Sequence, residues 1–297
     1  MLVLALAVLA DPGLLALQAA DARVATVAHR LQVANVVLCR EVGALPGFSM
    51  HTLVQYARDE RAGAKATFGL DARPAVLAVA TGSAAAMAGL RANDVVTAID
   101  GTPVVQSSDG AGHRDLDRAQ ALLDAGLADG AVTLDVVRGG INHRIAFTAE
   151  RGCASRVELV PGPSLNASAD GHSVQIGGRM VAFAATDDAL AVIVAHELAH
   201  NILGHRARLD AQRVRRGLFA GLGANGAKLR TTELEADRLS VALVANAGYR
   251  LDAIMPFWNA LRTRTDYGFL ASGAHPAWPA RLTALEAAVA EQTTSQA

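Results

Sequence analysis

The sequence predicts an α+β chain in two parts: a small, partly open β-barrel module and a mainly α-helical body carrying one small β-hairpin. Three observations carry this prediction. Residues 66–150 alternate short β-type runs with Asp-Gly and Gly-Gly turns. Helical periodicity dominates on either side of them. The 297 residues, 52% hydrophobic and 19% charged, suffice for ordinary cores and exclude a disordered chain. A formal net charge of −1 argues against a dedicated nucleic-acid binder, whose affinity rests on an excess of Lys and Arg. Cys39 and Cys153 are too few for a disulfide-framework miniprotein or a thiolate zinc cluster.

Taken in order, residues 1–20 form a signal-like apolar segment. Met1 to Ala10 is wholly apolar and is stopped by Asp11-Pro12-Gly13. Such a run is too short to cross a hydrocarbon core, which needs about twenty residues. It fits the apolar region of a secretory signal, although no Lys or Arg precedes it. Export is therefore favoured over a buried helix start, and no membrane-spanning helix is expected. Residues 21–65 read as an N-terminal helical segment, with Val24, Val27, Ala28, Leu31 and Ala34 at helical spacing. Cys39 lies near its end and Cys153 just beyond the β-rich insertion. A bond between them would tie both stems of that insertion; two separate buried thiols are the alternative.

Within residues 66–150, runs at Ala75–Val79, Val95–Ile99, Val132–Val137 and Ile145–Thr148 read as strands. Leu116, Ala119, Leu122, Leu123 and Leu127 mark a helix between them. The stretch from Gly82 to Val104, GSAAAMAGLRANDVVTAIDGTPV, resembles the PDZ domains attached to bacterial proteases. It departs from them at Ala84, where a Pro is usual, and at Asn93, where a Gly is usual. The second change is mild, because Asn tolerates positive φ. By this resemblance, Phe68, Gly69 and Leu70 form the loop that takes a peptide carboxylate, and the neighbouring strand edge pairs with the peptide. The alternative is a barrel that only packs against the rest of the chain.

Residues 151–297 carry the chemistry. Thr186-Asp187-Asp188 supplies a cap and first-turn acid for a helix running from Ala189 to His205. Inside it, His196 and His200 are four apart and share one face, so both rings can address one ion. Glu197 sits about 100° around the helix, beside that ion, where a carboxylate can take a proton from water. The flanking Ala191, Val192, Ile193, Val194, Ile202 and Leu203 make these polar groups costly unless paired or ligating. On a continuous helix His205 falls on the face opposite His196, which points to a surface or second-helix contact. In the Thr231–Ser240 stretch, Glu233 can supply a third ligand, and Asp237 can accept the free ring N–H of a ligand histidine. Glu235 points away from that face.

HELAH, the later ELEAD, His275-Pro276, Arg281, and Asn166-Ala167 ahead of a hairpin from Ser173 to Ala184 together resemble metallopeptidase family 48. That family includes the prenyl-protein proteases, the HtpX-type membrane proteases and the BepA-type periplasmic proteases. The resemblance implies a gluzincin-type fold over residues 151–297. It implies one Zn2+ per chain on His196, His200 and Glu233, with Glu197 as catalytic base. His275 is the candidate oxyanion donor; occupation of the open zinc position or a plain helix start are its alternatives. Arg281 either supports the site or forms an ion pair on a surface helix, with the latter favoured, and the edge of Ser173–Gly177 reads as the strand to which substrate adds.

The function so implied is a zinc endopeptidase acting on misfolded or envelope proteins in the periplasm, with the PDZ module binding peptide C-termini. The alternative is a PDZ-containing chaperone or binding protein whose metal site is latent or structural. The basic run from Arg206 to Arg216 reads as a solvated face, with a weak membrane-surface contact left open. Gly217 to Gly226 reads as a mobile loop between the two ligand-bearing helices.

Overall fold

The computed structural model describes residues 10–104, 112–214, 223–264 and 278–296. The apolar run before Ala10, much of the glycine-rich loop and His275-Pro276 lie outside the described residues. Helix α1 (Pro12–Ala34) leads to β1 (Val42–Leu45), β2 (Phe48–His51) and α2 (Arg61–Phe68). Next come β3 (Ala75–Val79), α3 (Ala84–Met87), β4 (Val95–Ile99), β5 (Thr102–Pro103), α4 (Gly112–Leu127), β6 (Ala131–Arg138) and β7 (Ile141–Thr148). The chain continues through β8 (Glu150–Cys153), β9 (Arg156–Val160), β10 (Ala167–Ala169), β11 (Ser173–Gly177) and α5 (Gly178–Phe183). It ends with α6 (Asp187–Ile202), α7 (His205–Ala211), α8 (Gly223–Asn246), α9 (Ile254–Arg262) and α10 (Trp278–Gln296). No helix among the described residues is long and apolar enough to cross a membrane.

Two compact units result. The first comprises Met1–Thr26 and Ala44–Glu150, the second Val27–Gly43 and Arg151–Ala297. Asp11-Pro12 starts α1 instead of merely ending the apolar run. The Asp11 carboxylate accepts the N–H groups of Gly13 and Leu14 at 2.7 and 3.2 Å, with Pro12 at the first helical position. The helix stops at Ala34, so the stretch expected to be helical as far as residue 65 is helical only in part. Pro46 and Gly47 (φ 71°) fall between β1 and β2, and β2 belongs to the sheet of the first unit.

That sheet runs β2-β3-β4-β6-β7, with β5 paired to β4. Among the described residues β2 and β7 do not pair, so the expected partly open barrel is an open antiparallel sheet capped by helices. Gly139 and Gly140, both at positive φ, close the two-residue hairpin between β6 and β7 as a type I′ turn requires. Val76, Val96, Ile99, Leu123 and Leu134 are almost wholly buried, and Phe48 meets Phe147 edge-to-face at 6.4 Å. Asn93 adopts φ 70°, the conformation a glycine would otherwise supply.

At the end of β2, His51 is 2% exposed; its Nδ1 lies 2.8 Å from the Tyr56 hydroxyl and its Nε2 has no partner. Burial lowers its pKa to about 4. Above the unfolded value of 6.5 the neutral ring costs nothing, whereas between 6.5 and 4 only the unfolded chain takes up the proton. Stability should therefore fall by about 3 kcal/mol as pH drops through that window. The check is urea unfolding of wild type and His51→Phe at several pH values. A stability difference between the two chains that does not change from pH 7 to pH 4 would refute the assignment.

The second unit is built on α6, which is buried on nearly every side, as a helix apolar all round must be. Helix α8 packs along α6, and α10 packs on α8. A three-stranded sheet runs β10-β11-β9, with β10 and β11 antiparallel and β11 and β9 parallel. Gly177 ends β11 where a Cβ would lie 2.5 Å from the Ser164 carbonyl oxygen, so only glycine fits. Cys39 and Cys153 form a disulfide with Cα atoms 5.2 Å apart. The Gln32 amide donates to the carbonyls of Cys153 and Ser155 at 2.8 and 2.6 Å beside it.

Candidate metal centre and peptide-binding edge

Thr186 caps α6 by accepting the Ala189 N–H at 3.2 Å, and Asp187 and Asp188 complement the positive helix end. This fixes the helix whose middle carries His196 and Glu197, 0% and 2% exposed. Helix α8 presents Glu233 and Asp237 to them, four residues apart on one face. His196 Nε2 lies 3.3 Å from His200 Nε2 and 3.5 Å from Glu233 Oε2. His200 Nε2 lies 3.6 Å from Glu233 Oε1. Donors bound at about 2.0–2.1 Å on a tetrahedral ion stand about 3.3–3.4 Å apart. With one donor atom taken from each, the three groups lie within 4.8 Å of one another and could hold a metal ion.

The surroundings fit the same reading. Asp237 Oδ1 is 3.0 Å from His196 Nδ1, which leaves Nε2 facing Glu233 and His200. Glu197 Oε1 is buried without a hydrogen-bond partner, and burial pushes this carboxyl up to about 7. Burial disfavours charge on His196, but in the metal-free site Asp237 and Glu233 outweigh it and raise the ring to about 9, so a metal ion would have to displace the Nε2 proton. His200 goes the other way, to about 3, because burial dominates there.

Two residues sit where the sequence did not place them. Arg281 was expected at the surface, yet it is 1% exposed. Its Nε and Nη2 donate to Asp237 Oδ2 and Oδ1 at 2.7 and 2.8 Å, and its guanidinium stacks 3.8 Å from the Trp258 ring centre. No local pattern in α10 reveals this. The available signal was Asp237 itself, a carboxylate in an apolar segment that needs a cation. His205 makes the expected contact with a second helix, its Nε2 lying 3.1 Å from Glu235 Oε2 on α8, but it also turns back toward the site. The helix breaks at Gly204 (φ 62°), so helical-wheel geometry no longer applies, and His205 Nδ1 lies 2.9 Å from His200 Nδ1. His275 lies outside the described residues.

The substrate edge assigned to Ser173–Gly177 also changes. Among the described residues β11 is the middle strand, hydrogen-bonded on both sides, whereas β10 and β9 are the outer strands, of which β10 packs against α6. In the first unit, Phe68 and Leu70 are buried with Ala64, Ala75 and Val95. The Gly69 N–H closes α2 by donating to the Lys65 carbonyl at 2.9 Å, so it does not await a carboxylate. The neighbouring strand β3 lies between β2 and β4, but its register with β4 is confined to Ala75 and Val95. The end strand on that side is β2, which follows Pro46-Gly47.

A family model described as PDZ domain matches residues 76–138, from within β3 to the end of β6. The chain therefore contains a PDZ domain, a class that binds peptides. No curated protein matches the chain.

Proposed function

We propose that the chain is a zinc-dependent endopeptidase similar to metallopeptidase family 48, with its PDZ domain holding substrate or partner peptides. The observation that carries this reading is the convergence of three donor groups within 4.8 Å of one another beside a buried carboxylate oxygen without a partner. His196, His200 and Glu233 would hold one zinc ion per chain. When bound, zinc supplies Lewis acidity that polarises a scissile carbonyl and makes water acidic near neutrality. Glu197 receives the proton of the attacking water on Oε1 and returns it to the departing amine. Burial, which disfavours the charged carboxylate, favours its holding the proton between the two transfers. Asp237, anchored by Arg281, keeps the His196 ring turned with Nε2 inward. The outer edge of β10 takes the substrate backbone in extended form, and the edge of β2 takes the peptide in the PDZ domain. The Cys39–Cys153 disulfide favours an oxidising compartment and with it a place in the cell envelope.

The purified chain should carry zinc, cleave an unfolded protein such as casein, lose cleavage with a chelator and regain it with added zinc. A chain that binds no zinc overturns the reading. Zinc without cleavage of any polypeptide would favour a peptide-binding or chaperone role instead. A family match confined to the PDZ domain is the observation on that side.

A further inference from the structure

We infer that His205 is a positioning residue that dictates which ring nitrogen of His200 faces the candidate metal centre. The inference rests on the zinc reading for its purpose, but not for its geometry. His205 is 2% exposed, with Nδ1 2.9 Å from His200 Nδ1 and Nε2 3.1 Å from Glu235 Oε2. Arg208 pairs with the same carboxylate oxygen.

The directions of these bonds follow from the donor inventory. A carboxylate held by Arg208 only accepts, so His205 must present Nε2–H to it. A neutral imidazole then has a bare Nδ1, which can only accept. Two bare nitrogens 2.9 Å apart would repel, so His200 supplies the proton from its own Nδ1. The Nε2 of His200 is left with a free lone pair, 3.3 Å from His196 Nε2 and 3.6 Å from Glu233. Asp237 does the same for His196 directly; Glu235 does it for His200 through an intervening ring. The break at Gly204 is what lets His205 fold back over His200.

Long-range 1H–15N spectra of the histidine rings in the metal-free full-length chain test the bond directions. His200 should carry its proton on Nδ1 with Nε2 bare; a proton on His200 Nε2 overturns the proposal. Zinc affinity, measured by competition with a chromogenic chelator, tests the purpose. His205→Phe keeps the ring but accepts nothing, and should bind zinc about 10–100-fold more weakly. His205→Gln, whose amide oxygen can accept from Nδ1, should recover most of the loss. Should the Phe variant fail to fold, Glu235→Leu at the 39% exposed end of the chain of bonds carries the same expectation. Wild-type affinity in folded His205→Phe, or no recovery in His205→Gln, overturns the proposal. A wild-type chain that binds no zinc yet protonates His200 on Nδ1 sinks the metal reading while upholding this one.

Discussion

Glu197→Gln is expected to slow peptide-bond hydrolysis by about 10²–10⁴-fold while leaving the fold and the zinc content as they were. The substitution changes almost no volume, which matters at a position 2% exposed in the centre of α6. It removes the proton-accepting capacity of a group beside the three donors whose buried oxygen has no partner among the described residues. It also removes a negative charge near Glu233 and Asp237, both of which help to raise the Glu197 carboxyl. The three donor groups themselves are untouched, so loss of metal is not the expected route to lost activity. Turnover of a labelled unfolded substrate, with zinc content measured on the same samples, distinguishes the cases. Unchanged turnover in the variant would mean that another group handles the proton. Lost turnover with lost zinc would mean that Glu197 serves the metal and not the reaction.

Arg281→Met should destabilise the second unit by about 3–5 kcal/mol, the range for breaking a buried ion pair from one side. The guanidinium holds both oxygens of Asp237, a carboxylate that is 0% exposed. Arg281 and His196 together keep that carboxyl below the usual range despite burial, which alone would raise it. Methionine fills much of the space over Trp258 but leaves Asp237 with His196 as its remaining named partner. Urea unfolding gives the loss, and the double variant Asp237→Leu/Arg281→Met should regain part of it, because no buried charge is then stranded. Zinc affinity should also fall, since the His196 ring is no longer held in place. A loss under about 1 kcal/mol would place the pair among ordinary surface ion pairs and contradict its burial.

Contacts set by neighbours along one helix can be read directly from residue order. His196 and His200 lie four apart on α6, Glu233 and Asp237 four apart on α8, and a continuous helix forces each pair onto one face. The Gly139-Gly140 hairpin is of the same kind, because its turn type depends on those two residues. Failures begin where the helix is not continuous. Running the wheel through Gly204 puts His205 on the wrong face, since one residue at φ 62° redirects everything after it. The strand edges fail for a different reason. Whether β3 or β2, β11 or β10, lies at the rim of a sheet depends on strand order, which alternation of apolar residues does not encode.

The amino-acid order thus specifies the donor groups of the candidate site, their spacing on each helix and the repeating pattern of the PDZ domain. Folding in three dimensions settles which pairs meet: Arg281 with Asp237, His205 with His200, Cys39 with Cys153. The reason is one of range. Helical periodicity and turn preference act over a few residues, whereas a buried carboxylate or a half-satisfied imidazole is indifferent to where along the chain its partner comes from. It requires only a group of the right charge and hydrogen-bonding sense brought within about 3 Å.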